Sequence, residues 1–223
     1  MNPIMITSVP DDYLLGYAEL TRDLLFHKIP VSKRRYYVEQ ALNIGKQQAQ
    51  TYRLLYKHDL RALCQDRNIQ IQLEETSGVL GKVRFRAQFE WSTTEKKIIL
   101  YRSSLQELQQ CTAILPSKKP LLLEHIIDIH LAHELFHAIE CDEIGQTYER
   151  LEPIDTFKLG RFRRQAWITR TSEIAAHAFC KEWMNLNWLP NMLDYAHFMY
   201  SHVWSVQDFE QQVQQWNTEL DVH

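Results

Sequence analysis

The chain lacks the patterns that mark membrane, secreted and nucleic-acid-binding proteins. None of its 223 residues lies in an uncharged apolar run that approaches the roughly eighteen residues of a transmembrane helix. The first twelve residues lack the basic and apolar stretches of a secretory signal. The net charge of −3 is too small to predict nucleic acid or an anionic membrane as a direct partner. We therefore expect a cytoplasmic protein with neither of these partners.

Cysteine is also scarce, and its four copies lie far apart without a C-x-x-C pair. This spacing excludes a cysteine-rich zinc site, and in a cytoplasmic chain it predicts free thiols. No internal repeat or low-complexity tract stands out. The hydrophobic content of 45% is ordinary for a globular core. The cysteines are Cys64, Cys111, Cys141 and Cys180.

The hydrophobic pattern predicts an α+β fold that is mainly helical, with a small antiparallel sheet packed on a central helix. Helical spacing covers residues 11–28, two stretches from Ser32 to residue 66, and residues 191–204 and 206–219 after Pro190. Alternating apolar and polar residues predict strands at 69–73, 83–91 and 98–101, of which the last two form a hairpin. We expect an N-terminal helical segment (1–56), a core (57–190) and C-terminal helices (191–223), packed as one compact domain.

Residues 133–137 read His-Glu-Leu-Phe-His, a complete H-E-x-x-H motif. Helix positions four apart point the same way, so His133 and His137 can bind one metal ion. Glu134 lies about 100° around the helix and can hold a water beside that ion. This combination is what a zinc hydrolase requires. The alternative is a pair of core histidines that hydrogen-bond without a metal.

The context of the motif favours the metal site. A chance match in a chain of this composition is expected only about 0.03 times. Apolar residues recur at helical spacing around the motif, from Leu122 to Ile139. Pro120 is suited to the first helical position, and Gly145 is suited to follow the last turn.

A zinc site with two histidines needs a third protein ligand, which we expect from the next helix. Residues 169–180 form such a helix in sequence, with Thr and Ser at its start as candidate caps and Glu173 in its first turn. Small residues at 175, 176 and 178 would let it approach the first helix closely. Glu173 is therefore the candidate ligand. The alternative is a first-turn glutamate that complements the helix dipole.

The motif together with Glu173, Ala176 and Phe179 resembles the glutamate-type zincins, and most closely the ImmA/IrrE-type metallopeptidase domain. The resemblance covers roughly residues 57–190. It implies a zincin-like fold, a bound Zn²⁺ held by His133, His137 and Glu173, and a peptide or protein substrate. It also implies that an exposed sheet edge near the metal pairs with an extended peptide. Our candidate is one edge of the 82–102 hairpin, although a purely structural sheet is an equal alternative.

Two positions depart from that family. Phe136 stands where glycine is usual, and it either packs in the core or narrows the cleft. His177 stands where asparagine or aspartate is usual. It has three open roles, namely orienting a metal ligand through a hydrogen bond, binding the metal, or serving as an ordinary helix residue. His130, one turn before the motif, is a further candidate ligand.

Two more regions have open interpretations. Residues 140–155 are acidic and 158–170 are basic, which is typical of solvated faces; the functional alternative is an arginine that contacts a substrate carboxylate. The segment 191–206 is rich in groups that could stabilise an oxyanion, although core packing is the other fate of each. These groups are Tyr195, His197, Tyr200 and His202.

We therefore expect a zinc-dependent metallopeptidase with Glu134 as general base. A second hypothesis is a protein that binds zinc without catalysing hydrolysis. It would be a zinc-stabilised regulatory or interaction module with a fourth protein ligand, from His130 or His177. A third is a helical binding protein without metal. The sequence leaves open whether residues 141–168 form a loop that covers the cleft.

Overall fold

The computed structural model describes residues 6–80, 83–116 and 121–221, and within them it contains eight α-helices and seven β-strands. The helices are α1 (Asp12–Leu20), α2 (Val31–Tyr56), α3 (Leu60–Asp66), α4 (Arg102–Cys111), α5 (Leu123–Ile139), α6 (Arg170–Met184), α7 (Met192–Tyr200) and α8 (Val206–Asp221). The strands are β1 (Ile69–Glu74), β2 (Val79–Leu80), β3 (Val83–Arg84), β4 (Ala87–Trp91), β5 (Lys96–Tyr101), β6 (Ile154–Leu159) and β7 (Phe162–Ala166). The predicted α+β, mainly helical class is confirmed.

The main sheet has the strand order β1-β5-β4. The predicted hairpin is present, since β4 and β5 pair antiparallel from Ala87–Leu100 to Trp91–Lys96. The sheet as a whole is mixed, because β1 pairs parallel with β5. The central position of β5 agrees with the near-complete burial of Ile98 and Leu100, which pack beneath α5. This order leaves β4 at one edge.

Several predicted boundaries were displaced. The helix expected over 11–28 ends at Leu20, and a 3₁₀ turn follows at Phe26–Lys28. The next helix begins at Val31, since its N-cap Pro30 has a non-helical ψ of 134°, and Ser32 lies inside the helix. The strand expected over 83–91 is interrupted at residues 85–86. Pro120 lies outside the described residues, and α5 begins at Leu123.

Helices α2 and α6 pack together more extensively than any other pair of elements in the described chain. Gly45 of α2 permits this approach, because a Cβ at that position would lie 2.0 Å from the backbone oxygen of Ala175. The side chain of Ala175 is fully buried. Glycine on α2 and the Ala175 backbone on α6 therefore fix how close the two helices lie.

The core runs through α1, α2, α5 and α6. Phe136 belongs to it: its ring is completely buried and lies 5.4 Å from that of Phe179. Of the two roles left open for Phe136, the structure therefore favours core packing. In the part of the chain that the structure describes, no helix is long and apolar enough to cross a membrane.

Candidate metal centre

The H-E-x-x-H motif lies on α5, of whose 17 residues nine are buried. Ile129, Leu131 and Leu135 anchor its buried sides. The helical repeat brings the Nε2 atoms of His133 and His137 to 3.2 Å from each other, with the ring centroids 4.9 Å apart. Both imidazoles thus point to one place at the surface of a buried helix.

Glu173 comes to the same place from α6. Its Oε2 lies 3.2 Å from Nε2 of His133, and its Oε1 lies 3.7 Å from Nε2 of His137. Two ligands held about 2.1 Å from one zinc ion in tetrahedral geometry are about 3.4 Å apart. The donor types and these distances are therefore compatible with a bound metal ion.

The start of α6 is fixed by a residue far away in sequence. The side chain of Asp23 accepts hydrogen bonds from the backbone N–H of Arg170 (3.0 Å) and the hydroxyl of Thr169 (3.4 Å). The prediction of a local Thr or Ser cap was wrong, because the Thr169 side chain makes no capping bond. Asp23 thereby helps to set where Glu173, in the first turn of α6, begins its approach to α5.

The two histidines and Glu173 attract one another electrostatically. Burial opposes a charge on His137, yet the carboxylates of Glu140 and Glu173 raise its pKa well above the usual value. Burial also opposes a charge on Glu173, yet His133 and His137 lower its pKa well below the usual value. Binding of a metal ion at these atoms would therefore displace a proton from the cluster.

Glu140 is a residue of the site that sequence reasoning missed. It follows α5 in a π-helical turn (Glu140–Ile144), and its side chain is completely buried. Its Oε2 lies 3.0 Å from Nδ1 of His137, and its Oε1 accepts from the N–H of Thr147 and the hydroxyl of Ser172, each at 2.8 Å. The carboxylate thus orients a candidate ligand and joins it to Ser172, the neighbour of Glu173.

The acidic run 140–155 is therefore not uniformly a solvated face. The available signal was the position of Glu140, three residues after His137 and on the same side of a helix whose end is buried. A carboxylate there can hydrogen-bond a histidine ligand, and this reading was open to sequence analysis.

His177 lies one turn after Glu173, and its ring centroid is 4.7 Å from that of His133. Its Nδ1 is buried without a hydrogen-bond partner in the described chain. Burial, with a smaller effect of His133, lowers its pKa to about 3, so the ring is neutral and can offer a lone pair. Donor atoms of His133, Glu173 and His177 all lie within 4.8 Å of one another. His133 and Glu173 therefore belong to two overlapping donor sets, one completed by His137 and one by His177.

The remaining candidates differ in where they lie. His130 lines the cavity beside the motif, with its Nδ1 2.8 Å from the Ile126 carbonyl, and burial lowers its pKa to about 3. His197 also lines this cavity. Tyr195 instead packs among aromatic rings, including those of Trp204, Phe209 and Trp216. His202 is exposed, with a left-handed backbone, and Tyr200 is also largely exposed.

Of the three candidate ligands, His133 and Glu173 line a cavity of about 720 Å³, whereas His137 is not part of its lining. Glu134 also lines the cavity, and so do residues 85–87, which lead into β4. Residues 141–168, all within the described chain, do not contribute to the wall. They form two short helical turns and the β6–β7 hairpin, so the possibility that they cover the cleft has no support in this arrangement. No family model, curated protein or solved structure matches the chain.

Proposed function

We propose that the chain is a zinc-dependent hydrolase, and specifically a metallopeptidase. His133, His137 and Glu173 would hold the zinc ion, and Glu134 would serve as the general base. The observation that carries this proposal is the convergence of three side chains, with Nε2–Nε2 and Nε2–carboxylate oxygen distances of 3.2–3.7 Å, beside an open cavity that His133 and Glu173 line. A site with three protein donors and an open side is the arrangement of catalytic zinc.

The chemistry follows from where the side chains lie. Zinc bound there would polarise a substrate carbonyl and lower the pKa of a coordinated water towards about 7. Glu134 would accept the proton of the attacking water and transfer it to the leaving amine. Glu140 would keep the proton of His137 on Nδ1 by accepting its hydrogen bond, which leaves Nε2 free for the ion.

A peptide substrate is supported by the free edge of the main sheet. Among the residues that the structure describes, strand β4 pairs with β5 on one side only, and the segment leading into β4 lines the cavity. An extended peptide could form backbone hydrogen bonds along this edge and bring one of its amide bonds to the candidate ligands.

The test is Glu134→Gln, compared with Glu124→Gln, an exposed glutamate in the first turn of the same helix. The Glu134 variant should retain zinc and lose about 10²- to 10⁴-fold of its hydrolysis of a fluorogenic peptide library, since that is the usual contribution of general base catalysis. The Glu124 variant should retain both. Full hydrolysis by Glu134→Gln would exclude this mechanism.

A second candidate function is a zinc-stabilised regulatory or interaction module, and the position of His177 favours it. A fourth protein donor would close the site, and closed sites are structural. X-ray absorption of the zinc-loaded protein separates the two: three protein ligands plus a light exchangeable ligand indicate the enzyme, whereas loss of one nitrogen ligand in His177→Ala indicates the module. Zinc content that is undiminished in Glu173→Ala would remove Glu173 from either site.

A further inference from the structure

Five charged side chains, none of them a candidate zinc ligand, form a continuous chain along the cavity wall. Nη1 of Arg170 lies 3.0 Å from Oε1 of Glu19, and Nη1 of Arg22 lies 3.1 Å from Oε2 of the same carboxylate. Arg22 also lies 3.8 Å from Asp194, which forms an ion pair with Arg86. All five residues line the cavity that contains the candidate metal centre. Positive and negative groups alternate, with an arginine at each end and one in the middle.

The charges in this chain do not balance. Three guanidinium groups face two carboxylates, which leaves an excess of one positive charge. Glu19 is almost completely buried, and burial raises its pKa, so its protonation would only increase that excess. Arg86 and Arg22 lower the pKa of Asp194 against the effect of burial, which keeps this group ionised.

Hydrogen-bond donors are also in excess. Each guanidinium carries five N–H donors. Within the described chain, Arg22, Arg86 and Arg170 use only Nη1 for side-chain hydrogen bonds to protein groups. Arg22 and Arg170 expose more than a third of their side chains, and Arg86 exposes a quarter. These three guanidinium groups thus present unused donors to the cavity, whose lining also includes the carboxylates of Glu107, Glu134 and Glu173.

We propose that this chain of charges is a subsite for a carboxylate of the ligand that enters the cavity. Arginine binds carboxylates through paired, charge-assisted hydrogen bonds, and an anion here would remove the imbalance. The carboxylate is either the free C-terminus of a peptide or an aspartate or glutamate side chain. If the proposed hydrolase function holds, on which this specificity rests, the anion would lie close to the scissile bond. Arg170 precedes Glu173 by three residues, which is less than one helical turn.

Binding to the metal-free protein tests the subsite without any need for hydrolysis, and it removes zinc as a competing carboxylate binder. The probes are N-acetylated trialanine with a free carboxylate, the same peptide as its C-terminal amide, and the amide with glutamate in the central position. Isothermal titration calorimetry should show about 10- to 100-fold tighter binding of one or both carboxylate peptides than of the neutral amide. The peptide that gains affinity identifies the source of the carboxylate.

The decisive variant is Arg22→Met, because it leaves Glu19 paired with Arg170 and Asp194 paired with Arg86. It should abolish the preference for carboxylate while the far-ultraviolet circular dichroism is unchanged. Arg163→Met, on the exposed β7 strand, removes the same charge away from the cavity and should keep the preference.

Arg170→Met provides a second variant, since it leaves Glu19 paired with Arg22. Loss of the preference in either Arg22→Met or Arg170→Met supports the subsite. Equal affinity of wild type for acid and amide peptides, absence of binding at millimolar concentration, or full preference in both variants would overturn it. Failure of the Glu134→Gln test would reject the hydrolase and leave this binding result standing.

Discussion

We expect Glu140→Gln to weaken zinc binding at the candidate metal centre, although Glu140 is not a candidate ligand. Glutamine is nearly isosteric, and its oxygen can still accept from Thr147 and Ser172 where Oε1 now lies. Its amide nitrogen then faces Nδ1 of His137, where Oε2 now lies at 3.0 Å. An amide donates, so the neutral imidazole must place its proton on Nε2, the atom that should bind the ion.

The expected loss of zinc affinity follows from this change of tautomer. Outer partners of histidine ligands typically contribute about 10- to 100-fold to metal affinity, which corresponds to about 1.4–2.7 kcal/mol. The loss of affinity in Glu140→Gln should lie towards the upper end of this range. The Glu140 side chain is completely buried, so no water can replace the lost acceptor.

The assay is competition for Zn²⁺ with a chromophoric chelator at pH 7, with circular dichroism as the check on folding. Glu143→Gln is the matched control, because Glu143 lies in the same π-helical turn and pairs with Arg67 at the surface. Its zinc affinity should equal that of wild type. A folded Glu140→Gln protein with unchanged zinc affinity would refute the role assigned to this carboxylate.

Two further predictions concern the scaffold. Gly45→Ala should destabilise the protein by about 1–3 kcal/mol in urea unfolding, despite alanine's better helix propensity, because its Cβ would overlap the Ala175 carbonyl and push α6 away. His130 should lower the free energy of unfolding of the metal-free protein as pH falls from about 6.5 to about 3. The decrease should be up to about 1.4 kcal/mol per pH unit, because His130 binds a proton in the unfolded chain but not when its ring is buried. His130→Gln should lack this contribution, as urea unfolding at pH 7 and pH 5 will reveal.

Each of these predictions has an internal comparison. Lys46→Ala, next to Gly45 but exposed, should leave stability nearly unchanged. Gly45→Ala with wild-type stability would mean that α6 can move freely at this contact. A stability difference between wild type and His130→Gln that is the same at both pH values would mean that burial does not suppress protonation of His130.

Much of the candidate site could be predicted because it depends on local geometry. The i, i+4 spacing alone brings His133 and His137 together, because α5 is a regular helix through both residues. Glu173 required a second helix to return beside the first. That could be inferred from the small residues of α6, although the matching glycine at position 45 gave no recognisable signal in sequence.

The features that could not be predicted depend on contacts between distant parts of the chain. Glu19 and Asp194 are 175 residues apart in number, and nothing in either local sequence indicates that they share Arg22. Parallel pairing of β1 with β5 likewise needs the whole intervening chain to cross over, which alternation of side chains does not encode. Local periodicity therefore predicts the elements and the histidines, and tertiary packing decides their surroundings.

Two of the three arginines in the chain of charges lie outside the helices that carry the candidate zinc ligands. Arg22 follows α1 and Arg86 precedes β4, whereas both histidines lie on α5 and Glu173 lies on α6. Substitutions of Arg22 and Arg86 can therefore accumulate without disturbing those helices. Proteins that share this scaffold could keep the candidate metal centre and diverge in the charge of the molecules they accept.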